Sequence, residues 1–243
     1  MLKFGVNCDC GESYGRLTVG QDDKVVPLVT SANIACGFHG GDPTTIRRTA
    51  RLAAAHGVAC GAHPSLPDLM GFGRRVMDID PAEFTDLIVY QLGAVRALIA
   101  AEGVACGHVK PHGVMYAMLG REDLAGAFAD AILAVDPAIA WVCEDKGVAA
   151  RVARGRGIRV ITEFTADRAY DGDGRLVITR NPEPVDPAFV VGQLRQVVES
   201  GRVRTNAGTD LEVGRPDVFC MHSDTPNSPE IAAAIRGYLE GVA

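Results

Sequence analysis

Short apolar runs alternate along this chain with longer stretches of helical periodicity, and the runs end on polar chemistry. Phe4-Gly5-Val6-Asn7-Cys8-Asp9 ends on an acid. Ile34-Ala35-Cys36-Gly37-Phe38-His39, Val58-Ala59-Cys60-Gly61-Ala62-His63, His108-Val109-Lys110-Pro111-His112 and Val218-Phe219-Cys220-Met221-His222 end on histidine. The runs lack clean alternation, as strands buried on both faces should. They predict strands over residues 3–8, 32–37, 58–62, 106–110, 139–143, 158–163 and 217–222. Helices are marked by an acid or serine before proline at the start and by glycine at the end. These are Asp42-Pro43 to His56-Gly57, Asp80-Pro81 to Gly103, Asp186-Pro187 to Ser200-Gly201, and Ser228-Pro229 to Gly241. In the second, Phe84, Leu87, Ile88, Leu92, Val95, Leu98 and Ile99 recur at helical spacing, so one face is buried. Weaker patterns predict helices at 121–134 and 147–154.

Seven strand–helix units in strict order predict a parallel sheet, which an open doubly wound fold or a closed barrel would satisfy. Polar residues follow nearly every strand instead of gathering at one switch point. That favours an α/β seven-stranded (β/α) barrel, TIM-like, with its chemistry at the carboxyl ends of the strands. The length of 243 residues suits one barrel domain over 1–243, and no linker interrupts it. Long loops at 64–78, 165–186 and 202–216 break the rhythm and read as lids or binding loops. The second contains the turn Asp171-Gly172-Asp173-Gly174 and a short hairpin strand at Leu176-Val177-Ile178, and the third a hairpin around Asn206-Ala207-Gly208.

A hydrophobic fraction of 47% supports a substantial core, and a formal charge of −6 argues against nucleic acid or an anionic membrane surface as partner. No signal peptide and no apolar stretch of membrane-spanning length are visible. The seven cysteines form no paired framework, which fits a cytoplasmic protein. Six of them fall in or beside predicted strands, where a thiol is a small buried apolar group. Cys8-x-Cys10 has no second pair to complete a zinc site.

Candidate chemistry gathers at the strand ends. Asp9 and Glu12 could be a general base with an orienting partner, or both could hold a metal. His39 precedes a helix N-terminus that Asp42 caps, and His63 is placed similarly. In the run from His108 to His112, alternation turns His108 and Lys110 toward the barrel interior and could carry His112 to the same side, but His112, just past the strand, reads first as a solvent-side acid or base. A lysine there should meet an anionic substrate or a carboxylate such as Asp9. Glu163, Asp167, Arg168 and Tyr170 follow the sixth strand, and His222 and Asp224 the last. Arg74 and Arg75 could bring two guanidiniums over the mouth. P-loop, Gly-x-Ser-x-Gly and Gly-x-Gly-x-x-Gly motifs are all absent.

Asn-Cys-Asp-x-Gly-Glu-Ser (7–13), Thr-Ser-Ala-Asn-Ile-Ala-Cys-Gly-Phe-His-x-Gly-Asp-Pro (30–43), Gly-Ala-His-Pro (61–64), Gly-Phe-Gly-Arg-Arg (71–75), Val-Lys-Pro-His-Gly (109–113) and Ala-Asp-Arg-Ala-Tyr (166–170) occur in this order. Together they resemble the LamB/YcsF family, the A subunits of bacterial ATP-hydrolysing 5-oxoprolinase. The resemblance implies a seven-stranded barrel of the glycoside hydrolase/deacetylase type. It also implies hydrolysis of 5-oxo-L-proline (pyroglutamate) to L-glutamate with ATP, in a complex with B and C subunits. ATP would be bound with or by the partner subunits, and the number of copies of this chain is left open, a homo-oligomer included. On this reading Asp9, Glu12, His39, His63, Lys110 and His112 are catalytic. Asn7, Arg74, Arg75, His108, Glu163, Asp167, Arg168, His222 and Asp224 hold substrate or phosphate. The last strand departs from the family pattern, with Ser223 for glycine and Thr225 for asparagine, and Ala117 stands where asparagine is expected. Two other readings compete. One is a metal-dependent deacetylase or amidohydrolase acting on a small or carbohydrate substrate, with Asp9, His39 and His63 around a divalent ion. The other is a non-catalytic subunit that binds a small acid.

Overall fold

The barrel begins at β1 (Gly5–Cys10) and continues through β2 (Ser31–Ala35), β3 (Ala59–His63), β4 (Cys106–Val109), β5 (Ala140–Cys143) and β6 (Val160–Thr165). An antiparallel hairpin of β7 (Arg202–Arg204) and β8 (Asp210–Glu212) stands outside it, before the final barrel strand β9 (Val218–His222). In this computed structural model, which describes residues 3–177 and 182–242, β9 pairs with both β6 and β1. All seven barrel strands are parallel and the sheet closes. Closure excludes the open alternative.

Helices α1 (Asp22–Val25), α2 (Pro43–Ala55), α3 (Pro81–Ala100), α4 (Val114–Met118), α5 (Glu122–Val135), α6 (Val148–Gly155), α7 (Pro187–Ser200) and α8 (Ser228–Glu240) connect the strands. The Asp-Pro signals work as caps. Asp42 accepts from Thr44 N and Thr45 N, Asp80 from Ala82 N, and Asp186 from Ala188 N. Each proline fills the first helical position, where no donor is lost. At the fourth start Ser228 lies inside the helix, and Asn227 spends its side chain on the Val185 backbone. The apolar face of α3 lies under α5, where the tilted rings of Phe84, Phe128 and Trp141 pack into the core with centroids 6.4 and 4.6 Å apart.

Two expectations need correction, and two short helices go unannounced by the sequence. Strand β1 starts two residues later than residue 3 and runs to Cys10, so the one cysteine placed outside the predicted strands lies in β1, and all seven are buried and free. The short helices α1 and α4 carry no sequence signal strong enough to announce them. In the loop after β6, Leu176 forms a single antiparallel bridge to Tyr170, and Ile178 lies outside the described residues. Among the described residues, no helix is long and apolar enough to cross a membrane.

Candidate active site

Parallel register brings the polar strand ends together. Asp9 stands opposite Asn33 on β2 and His222 on β9, so three loops deliver their chemistry to one level of the barrel. Its Oδ1 accepts from Lys110 Nζ at 2.7 Å and from Asn33 Nδ2 at 2.8 Å, while Oδ2 lies 3.1 Å from His63 Nε2. Burial alone would raise the Asp9 carboxyl, but His63 beside Oδ2 and the Lys110 ammonium outweigh it and hold Asp9 well below the usual range. Burial would likewise pull Lys110 down. Asp9, with Glu163 at 3.4 Å, holds its ammonium above its ordinary value. Nζ also reaches Cys220 Sγ at 2.9 Å, whose thiol burial pushes up. Three acceptors therefore surround Lys110, and its first partner is the carboxylate.

Glu12 lies just past the end of β1 and belongs to a second cluster. Its Oε1 is 3.1 Å from His39 Nε2 and 3.4 Å from His112 Nδ1. His112 Nδ1 is 3.0 Å from His63 Nε2, and the rings of His39 and His112 stack at 3.6 Å. Burial, with the charges of Asp224 and Asp9, pushes the Glu12 carboxyl above its range. Burial and the neighbouring histidines pull His39 and His112 down. His112 is thus an enclosed residue, 3% exposed, and not the solvent-side group expected, because the 64–78 loop covers it. Phe72 in that loop accepts from His112 Nε2 at 2.8 Å and takes a left-handed φ of 54°, a conformation non-glycine residues rarely adopt. Gly73 follows at φ 65°, where a Cβ would run into Ser65 and His112.

A third set faces the opening. His222 Nδ1 donates to Asp167 Oδ1 at 2.8 Å, and its Nε2, 3.5 Å from Asp9 Oδ2, turns to a cavity of about 430 Å³. Burial opposes ionisation of Asp167, but His222 and Arg168 overcome it and hold its carboxyl below the ordinary value. Asp224 bridges Arg74 at 2.8 Å and Arg168 at 3.4 Å. The cavity wall includes Asp9, Lys110, Arg74, Arg168, Glu163 and His222, and its volume is ordinary for a small-molecule site.

Other expected residues stand behind this wall. Asn7 donates to Glu163 Oε2 at 2.8 Å. His108 Nε2 contacts Asn33 Oδ1 at 2.9 Å and is pulled down to about 4 by burial and Lys110. A Cβ on Gly61 would occupy the space of the His108 ring, so glycine is what lets the imidazole lie there. Arg75 is a correction: its guanidinium pairs with Asp68 and is not among the residues around the cavity. Ser223 is buried without a left-handed φ, packs against Gly20, and its N–H donates to Asp9 O at 3.3 Å. Thr225 accepts from Arg168 at 3.0 Å. Ala117 lines the cavity, as do Tyr116, Trp141 and Glu144, which the sequence did not single out. The Glu144 carboxyl is raised by burial and by Glu163.

Among the described residues, two groups of metal-capable atoms result, Glu12/His39/His63/His112 and Asp9/Cys220/His222. The trio Asp9, His39 and His63 is split between them, because Asp9 is engaged by Lys110 and Asn33 and His39 faces Glu12.

The molecule is therefore a parallel seven-stranded β/α barrel whose carboxyl-end loops enclose a small, charged pocket. Residues 4–242 match the LamB/YcsF family, and the chain belongs to that family. A relative from Syntrophobacter fumaroxidans, which bears the name of the 5-oxoprolinase A subunit, is 43% identical over 242 residues, covering 98% of this chain and 95% of its own. The crystal structure of a lactam utilization protein from Thermus thermophilus superposes with a TM-score of 0.88 at 42% identity, covering 99% of this chain and 97% of its own. A GH113 β-mannanase from Alicyclobacillus acidocaldarius, at 11% identity, TM-score 0.53 and coverage of 100% and 98%, shares the fold alone.

Proposed function

We propose that this chain supplies the pocket in which 5-oxo-L-proline is hydrolysed to L-glutamate, coupled to ATP, as the A subunit of a cytoplasmic complex with B and C subunits. The observation that carries the reading is the cavity wall. It sets Arg74 and Arg168 beside an ionised Asp9–Lys110 pair and a histidine whose orientation is fixed by Asp167. Guanidiniums suit the carboxylate of the substrate and a transferred phosphoryl group. A five-membered lactam is a poor electrophile, so ATP, bound with or by the partners, would transfer its γ-phosphoryl group to the carbonyl oxygen and leave as ADP. Water then adds to the ring carbon and loses a proton to His222 Nε2, which Asp167 keeps as the acceptor tautomer. The C–N bond breaks with its electron pair kept on nitrogen, the added hydroxyl loses its remaining proton as it becomes the acyl carbonyl, and nitrogen takes up both protons released. A second water releases phosphate from the acyl phosphate that remains. Lys110 holds Asp9 ionised, and Asp9 stabilises the cation that forms on His222.

The test is glutamate release from 5-oxo-L-proline and ATP by this chain alone and with its B and C partners. Release by the full set alone, abolished by Asp9→Asn or Lys110→Ala, supports the reading. Failure of the folded full set to release glutamate sinks it.

A further inference from the structure

The hydrogen bonds around His63 and His112 leave an arrangement that two neutral imidazoles cannot satisfy. His63 Nδ1 is 2.7 Å from the Lys110 carbonyl, and a carbonyl only accepts, so Nδ1 carries the proton and Nε2 a lone pair. His112 Nε2 is 2.8 Å from the Phe72 carbonyl, so its Nδ1 carries a lone pair. These two lone-pair nitrogens are 3.0 Å apart. Further acceptors crowd the same point: Glu12 Oε1 is 3.4 Å from His112 Nδ1, and Asp9 Oδ2 is 3.1 Å from His63 Nε2. His39 Nε2 is 3.1 Å from the same Glu12 oxygen. A cation belongs among them.

The spacing selects its kind. One atom each from Glu12, His39, His63 and His112 lies within 4.8 Å of every other, and all four residues are buried. An ion bonded tetrahedrally at 2.0–2.1 Å holds its ligand atoms about 3.3 Å apart, close to the 3.0, 3.1 and 3.4 Å separations seen here. The outer nitrogens of His63 and His112 donate to backbone carbonyls, the orienting bond that ligating histidines use. His39 lies flat on His112 with its Nδ1 unpartnered, and its ring must turn out of that stack for Nε2 to share one ion with His112 Nδ1. Three imidazoles and one carboxylate are a borderline donor set that suits zinc better than magnesium or calcium.

We propose that Glu12, His39, His63 and His112 form a binding site for one divalent transition ion of the zinc class. The site does not rest on the oxoprolinase reading, and its readout is metal content, not turnover. His112 and Asp9 also line the cavity, so a bound ion would bring positive charge to its wall.

The experiment strips the purified full chain with a chelator and titrates it with Zn²⁺ alone and with Co²⁺ alone, reading bound metal and visible Co²⁺ absorption. The expected result is one ion per chain, with affinity reduced at least about 100-fold in His112→Gln and Glu12→Gln and unchanged in His56→Gln, an exposed control at the end of α2. Circular dichroism checks that each variant folds. Should a ligand variant fail to fold, ¹⁵N imidazole spectra of the wild type decide. Zn²⁺ must then move the His39, His63 and His112 signals and leave His56 in place. Absence of stoichiometric binding, or an imidazolium signal from His63 or His112 that persists in excess Zn²⁺, would mean that a proton occupies the gap, and would overturn the proposal.

Discussion

Replacing Lys110 by methionine removes the cation from a carboxylate almost wholly withdrawn from solvent. The pair is 2.7 Å apart, with side chains 5% and 4% exposed. At an effective dielectric of about 20, unit charges at that distance attract by about 6 kcal/mol. Regained hydration of the unfolded lysine offsets part of this, and buried pairs broken from one side lose about 3–5 kcal/mol. Lys110→Met should fall at the lower end, because Asp9 keeps Asn33 and His63. Asp9→Asn leaves Lys110 with Glu163 at 3.4 Å and Cys220 at 2.9 Å and should cost a similar amount. The assay is urea unfolding of the wild type, both single variants and the double variant. The double should be more stable than the sum of the singles implies, by about 3 kcal/mol. High salt should change this coupling little, since ions do not screen a buried pair. Additivity of the two substitutions to within about 0.5 kcal/mol would refute the reasoning, as would a single variant costing under about 1 kcal/mol.

Asp167 gives a pH-dependent case. Its carboxyl is lowered in the folded state, so its stabilisation is complete above the unfolded value of about 3.9 and is lost as pH falls through the folded value. Asp167→Asn should cost about 1.5–3 kcal/mol at pH 5 to 7, and the gap in urea midpoints should close in stronger acid; a gap that widens there contradicts the assignment. Phe128→Ala, emptying the space between Phe84 and Trp141, should cost about 3–5 kcal/mol by thermal or urea unfolding. The thiols should resist labelling at mild alkaline pH, since burial pushes Cys60 and Cys143 up to about 12 and Cys106 to about 11. All seven should react after unfolding, and rapid native labelling of several would contradict their burial.

Much of this fold was legible in the chain. Apolar runs and Asp-Pro starts located the barrel strands and the long helices to within about two residues, because burial and capping act locally. The strand ends also pointed to Asp9, Lys110 and His222, which the parallel register does bring together. What stayed hidden depends on lateral contacts. Glu12 meets His39 across β1 and β2, and His112 goes under Phe72, yet no spacing along the sequence encodes either approach. Asn33 had one readable signal, an amide inside the apolar run from Ala32 to Ala35. Arg75 looked equivalent to Arg74, but Asp68 claims it within its own loop. Tyr116 and Glu144 reach the cavity from short connections without a motif.

Ring opening at the cavity where Asp167 orients His222 is the step on which the proposed function turns. The most direct measurement is glutamate formation by the complex assembled with B and C subunits, comparing wild type with His222→Gln and Asp167→Asn at saturating 5-oxo-L-proline. The expected result is kcat reduced at least about 100-fold in His222→Gln, a smaller but clear loss in Asp167→Asn, and little change in KM. Full turnover in a folded His222→Gln complex would contradict it.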